Sequence, residues 1–115
     1  MAYDQELADR IRLIIGGDPA LTAALTEKKM FGGLAFLIGG KMAITASREG
    51  GVLVRVDPAE AGRLTRTTSA TVAVMGGRQM TGWLRVGAAD VDSDEDLLRW
   101  VERGTACARA LPSRR

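Results

Sequence analysis

The stretch Lys28-Lys29-Met30-Phe31-Gly32-Gly33-Leu34-Ala35-Phe36, followed by Gly39-Gly40-Lys41-Met42, decides the reading of this chain. Two glycine pairs bracket a short apolar run. That pattern fits a buried strand, entered through a backbone that needs glycine and left through a two-residue hairpin turn. Residues 34–38 are predicted as the first strand and residues 41–46 as its returning partner. Gly32-Gly33 reads as a bulge or a place of close backbone approach. Phe31 and Phe36 are expected in the core.

Working outward, Ser47-Arg48-Glu49-Gly50-Gly51 forms a second turn. Val52-Leu53-Val54-Arg55-Val56 is then the clearest strand, mostly β-branched with its charge on one face. Asp57-Pro58 opens a short helix, the aspartate as cap and the proline as first helical residue, ending near Leu64. Residues 65–69 read as a polar link, 70–75 as a strand, Gly76-Gly77 as a turn and 82–86 as the last strand. Ser93 caps a long helix whose acidic first turn complements the helix dipole, and Pro112 stops it. Upstream, Leu7, Ile11, Ile14 and Ile15 recur at helical spacing, so residues 4–15 form an amphipathic helix capped by Asp4. Asp18-Pro19 begins a connector, and residues 20–25 read as a short helical turn. The order is helix, three strands, short helix, two strands, long helix. It predicts a two-layer α+β domain with a mainly antiparallel five-stranded sheet and helices over one face.

At 115 residues the chain is expected to be a single domain spanning residues 1–115. The formal net charge is only +2 despite a pI near 9.1. This small excess disfavours strong non-specific nucleic-acid binding. The single cysteine, Cys107, excludes an internal disulfide framework and suits a reducing compartment. The start of the chain is polar and acidic, unlike a signal peptide, and no apolar run reaches membrane-spanning length. These features point to a cytoplasmic protein with no membrane partner.

Little catalytic chemistry is visible. Gly39-Gly40-Lys41 is not a phosphate loop, because that motif needs glycine where Ala35 sits and a hydroxyl where Met42 sits. Without histidine there is no imidazole base, and one thiol cannot build a standard zinc site. The acidic run Asp90, Asp92, Asp94, Glu95 and Asp96 lacks calcium-loop spacing and reads as a solvated helix start. Cys107 lies among alanines and reads as a packing residue. No metal, cofactor or catalytic residue is expected.

Strand alternation supplies the candidate site. Val52, Val54, Val56, Leu84 and Val86 would face the helices, leaving Leu53, Arg55, Trp83 and Arg85 on the other side. Leu37, Ala43, Thr45, Ala73 and Met75 are expected to extend that outer face. Aromatic and arginine side chains are enriched at interfaces, so Arg55, Trp83 and Arg85 are the candidate partner-binding residues. Lys28 and Lys29 are candidate phosphate contacts.

Residues 28–42, with Arg78-Gln79-Met80-Thr81-Gly82-Trp83 and Leu97-Leu98-Arg99-Trp100-Val101, resemble the amino-terminal domain of the TfoX/Sxy family in order and spread. The resemblance implies a bacterial domain of α-β3-α-β2-α order, similar in outline to type III secretion chaperones. Longer members named for competence regulation carry a second, helical carboxy-terminal domain; this chain is expected to stand alone without it. The resemblance implies a regulatory or interaction role and supplies no catalytic residues. A non-enzymatic protein-interaction domain, forming a homodimer or binding a protein partner, is therefore the leading expectation. The alternatives are a nucleic-acid-associated transcriptional regulator and a small enzyme lacking histidine.

Overall fold

The computed structural model describes residues 5–30, 32–48, 50–75 and 77–110. Phe31, Glu49, Gly76, the Asp4 cap and Pro112 lie outside the described residues, as does the side chain of Met75. The chain folds as α1 (Gln5–Gly16), α2 (Pro19–Ala24), β1 (Leu25–Met30), β2 (Gly33–Ile38), β3 (Lys41–Ala46), β4 (Val52–Arg55), α3 (Pro58–Thr67), β5 (Thr71–Met75), β6 (Arg78–Val86), a 3₁₀ turn (Ala88–Val91) and α4 (Asp94–Ala110). The class is α+β with an open antiparallel sheet in the order β1-β2-β3-β4-β6-β5.

The sheet has six strands, not the expected five. The additional strand is β1, which pairs with β2 along its whole length. Its sequence, Leu-Thr-Glu-Lys-Lys-Met, is mostly charged or polar because it lies at an edge, where only one flank is hydrogen-bonded and charged side chains remain wet. Two boundaries also move outward. Helix α3 continues to Thr67 rather than Leu64. Strand β6 begins at Arg78 rather than Gly82, with irregular pairing to β5 between Val72 and Val74.

Capping chemistry sets the helix starts. The Asp18 and Asp57 carboxylates accept from the backbone N–H groups of Ala20 and Ala59, each 2.9 Å away, and Ser93 Oγ accepts from Asp96 N–H at 3.1 Å. Proline follows both aspartates at the first helical position, where its missing N–H costs no hydrogen bond.

One apolar cluster joins the helices to one side of the sheet. Leu7, Ala8, Ile11 and Ile15 of α1, Leu21 of α2, Ala61 and Leu64 of α3, and Leu97, Trp100, Val101 and Ala108 of α4 pack with Leu34, Phe36, Ile44, Val52, Val54, Leu84 and Val86. Ala35, Leu53 and Ala73 are buried yet stand outside this cluster, as alternation requires for residues of the opposite face. The four helices thus cover one face.

A bulge adjusts this arrangement. Phe36 pairs with Ile44 while Leu37 pairs with Met42, so Ala43 is the extra residue on β3. Ala43 consequently joins the helix-side core instead of the outer face expected from simple alternation. There α4 comes unusually close: a Cβ placed on Gly104 would collide with the Ala43 carbonyl oxygen. Gly33 plays a similar part within the sheet, since a Cβ on it would run into the Ala46 carbonyl. Close backbone approach therefore explains that member of the sequence's first glycine pair.

Candidate interaction face

The helix-free side of the sheet is built from consecutive cross-strand partners. Lys28 lies opposite Ala35, Ala35 opposite Thr45, Thr45 opposite Leu53, Leu53 opposite Arg85, and Arg85 opposite Thr71. One row of outward residues thus crosses all six strands. In the adjoining row Arg55 is the direct partner of Trp83. The Arg55 guanidinium sits over the indole, its Cζ 5.1 Å from the ring centroid, within cation–π range. Arg85 donates to Ser47 Oγ at 3.5 Å, which holds it along the face. Thr45 Oγ1 donates to Met42 Sδ at 3.3 Å, which places the Met42 thioether on the same side.

The strand pattern thus brings Arg55, Trp83 and Arg85 together on neighbouring strands. All three are half-buried. Thr45 and Leu53, at 2% and 5% exposure, lie low on this face, as do Ala35 and Ala73. The accessible residues of this face include Lys28, Leu37, Met42, Arg55, Thr71, Trp83 and Arg85. Lys28 and Lys29 do not act as a pair. Lys28 faces outward with Ala35, whereas Lys29 pairs with Leu34 on the helix side.

Charge is divided unevenly between the two faces. Glu27 is the one carboxylate within the six strands, and it shares the helix side with Phe36. Arg12 of α1 grips it with two charge-assisted hydrogen bonds, Nε to Oε2 at 2.6 Å and NH2 to Oε1 at 2.7 Å. These bonds hold the Glu27 carboxyl below its ordinary value and push the Arg12 guanidinium further up. Arg12 also binds Asp9 at 2.6 Å and lies 6.0 Å from the Phe36 ring centroid. The outward positions of the strands carry lysine and arginine but no aspartate or glutamate.

Two concavities among the described residues lie on the helical layer. An open groove of about 400 Å³ runs between α1, α2 and α4, lined by Ile14, Leu21, Leu98, Val101 and Arg109. A cleft of about 290 Å³ is lined by Glu6, Arg10, Asp92 and Asp94. Arg10 spans that cleft, donating to Asp94 Oδ1 at 3.1 Å and to the Asp92 carbonyl at 3.0 Å. Its charge is engaged in joining α1 to the start of α4. Among the described residues no set of histidine, cysteine or carboxylate side chains is arranged to hold a metal ion.

Cys107 is half-buried on α4. Burial pushes its thiol pKa up; Arg55 acts in the opposite direction and Asp57 reinforces the rise. The group is therefore a protonated thiol at neutral pH, a poor nucleophile. Among the described residues no helix is long and apolar enough to cross a membrane.

Comparison with curated proteins and with solved structures returns no match. The model of the TfoX N-terminal domain matches residues 20–108, which include every strand, the Arg55–Trp83 pair and most of α4. The chain therefore belongs to the TfoX N-terminal domain family.

Proposed function

We propose that the protein is a non-enzymatic regulatory domain that binds a protein partner through the helix-free face of its sheet. The Arg55–Trp83 stack carries this reading. It presents a large amphipathic ring beside a guanidinium on a rigid strand pair, without a carboxylate at any outward strand position. Rigid aromatic and arginine side chains supply most of the energy at many interfaces. The charge pattern favours an acidic segment on the partner, with Trp83 as apolar anchor and Arg55 and Arg85 as orienting contacts. A role like that of competence regulators is the family-level form of this proposal. Residence in the bacterial cytoplasm belongs to the same reading, supported by the single cysteine of the chain.

The test is affinity capture from native cells with wild-type and Trp83→Ala protein as parallel baits, each with and without nuclease. A protein retained by wild type, lost with Trp83→Ala and indifferent to nuclease supports the proposal. Ligands that disappear with nuclease and weaken steeply with salt would instead assign this face to nucleic acid. Equal retention by both baits would remove Trp83 as the anchor.

A further inference from the structure

The chain's charge is small in sum but segregated in space. The outward strand positions carry lysine and arginine without a carboxylate, whereas residues 90–102 hold six carboxylates and one arginine. That acidic stretch runs from the 3₁₀ turn into α4, on the helical side of the sheet. Its exposed surface is not purely polar. Leu98 is 40% exposed, and Asp94, Glu95 and Glu102 ring it on one helix face, at four and three residues before it and four after. Leu13 of α1, 77% exposed, lines an adjoining shallow concavity of about 310 Å³ together with Leu98 and Asp94. These leucines are two of the three large apolar side chains exposed among the described residues. Asp94 and Glu95 contact Arg10 and Arg99, yet their side chains stay 97% and 77% exposed, and ion pairs this exposed are weak. The carboxylates therefore remain available to a stronger partner.

We propose that the helix-free face takes a second copy of this chain, the partner subunit's Leu98 seating against Trp83. This rests on the reading of that face as a protein-binding surface. The two patches match in apolar centre and in sign of charge. On the receiving face, Arg55 flanks Trp83 across the strand pair, and Arg85 lies two residues along the same strand. On the arriving helix, carboxylates flank Leu98 at both ends. Arg55 and Arg85 are diagonal neighbours about 7–8 Å apart. Glu95 and Glu102 are separated by about 10 Å along the helix, a difference that long arginine side chains take up. Pairing two helix-free faces instead would oppose arginine to arginine. Because the matching patches lie on opposite sides of the sheet, the contact is heterologous. Copies join head to tail and stop only where a ring closes. The charged rim makes the contact sensitive to salt.

The test is analytical ultracentrifugation of the full chain from about 1 μM to 1 mM. Wild type should grow past dimer with concentration at low salt and dissociate at about 0.5 M salt. Trp83→Ala disables the receiving patch and Leu98→Lys the arriving one. Each variant alone should weaken self-association about tenfold or more. Mixed in equal amounts, the two should form a one-to-one dimer that grows no further, because one intact patch of each kind remains. Arg55→Glu is a second variant of the receiving patch, and unchanged far-ultraviolet circular dichroism establishes that a variant is folded. Three results would overturn the inference: a wild-type monomer throughout the range, a wild-type dimer that grows no further, or a mixture as dissociated as its components. If wild type is monomeric while Trp83→Ala still loses a captured protein, the second copy is the wrong occupant and the face keeps its role. If capture is also indifferent to Trp83, the reading of the face falls with it.

Discussion

Substituting Gly104 by alanine tests the seating of α4 on the sheet, because two known effects oppose each other there. Within a helix, glycine to alanine ordinarily stabilises by about 0.8–1.0 kcal/mol through backbone entropy. At Gly104 the new methyl would meet the Ala43 carbonyl oxygen and come within 3.0 Å of the Ala43 carbonyl carbon and 3.4 Å of Val54 Cγ1. Two of those atoms are backbone, held by the bulge of β3, and cannot swing aside. The helix must lift, loosening Trp100, Val101 and Ala108 from the sheet. Overpacking of this kind costs about 1–3 kcal/mol, with the upper part of the range fitting an obstacle made of backbone. We expect Gly104→Ala to lose about 1–2 kcal/mol net. Gly62 of α3 is the control, since a methyl there meets only the end of the flexible Arg66 side chain at 3.4 Å. Gly62→Ala should gain about 0.5–1 kcal/mol. Urea unfolding of both variants decides the matter, with equal m-values required for the comparison. Equal stabilisation by both substitutions would refute the argument for close helix–sheet contact at Gly104.

Other substitutions separate core from face. Trp100 is 5% exposed, with Arg103 stacked 4.5 Å from its ring, so Trp100→Ala should cost about 3–5 kcal/mol in thermal or chemical unfolding. Trp83→Ala should weaken partner binding by about thirtyfold while costing the fold less than Trp100→Ala does, measured by titration and melting of the same variant. Glu27 has a folded-state pKa below its ordinary value because Arg12 bonds its charged form. Its contribution is therefore present above the unfolded-state value and is lost as pH falls through the folded one. The stability difference between wild type and Glu27→Gln should shrink from about pH 5.5 toward pH 3; a gap independent of pH would remove the ion pair as its source.

Much of the fold was legible because most of the hydrophobic pattern is locally unambiguous. The Gly39-Gly40 turn, the valine run of β4, and the Asp57-Pro58 and Ser93 starts each have a single good local solution. What escaped is polar. Strand β1 alternates correctly, with Lys28 outward and Glu27 toward Arg12, but alternation among charged residues leaves no hydrophobic signal. The first half of β6 is polar for the same reason. The last turn of α3 is rich in threonine, a modest helix former. There the side chains support the turn: Thr67 Oγ1 donates to the Arg63 carbonyl at 2.9 Å and Thr68 Oγ1 to that of Leu64 at 2.7 Å. Ala43 was assigned to the wrong face because a bulge shifts alternation by one residue and leaves no mark on an alanine. At the candidate site, alternation from the buried valines was enough to put Arg55 and Trp83 on one face. Their direct pairing depends on β4 and β6 being neighbours, a fact of sheet order that spacing along the chain does not contain.

Family membership establishes a fold more firmly than an activity, so function must be argued from the surfaces the fold leaves over. In this domain the helical layer is committed to the core: α4 is seated against β3, α1 is tied to α4 through Arg10 and to β1 through Arg12, and α3 closes over β6. Changing those residues changes stability first. The helix-free face is different. Arg55 and Trp83 stand outside the apolar cluster, and each rests on a strand whose opposite side is anchored in it. Rigid support with little structural duty is what a recognition surface requires, because a side chain fixed by its strand loses less freedom when a partner arrives. The asymmetry between the two faces, which follows from strand alternation alone, is thus the physical reason for seeking the protein's interactions opposite its helices.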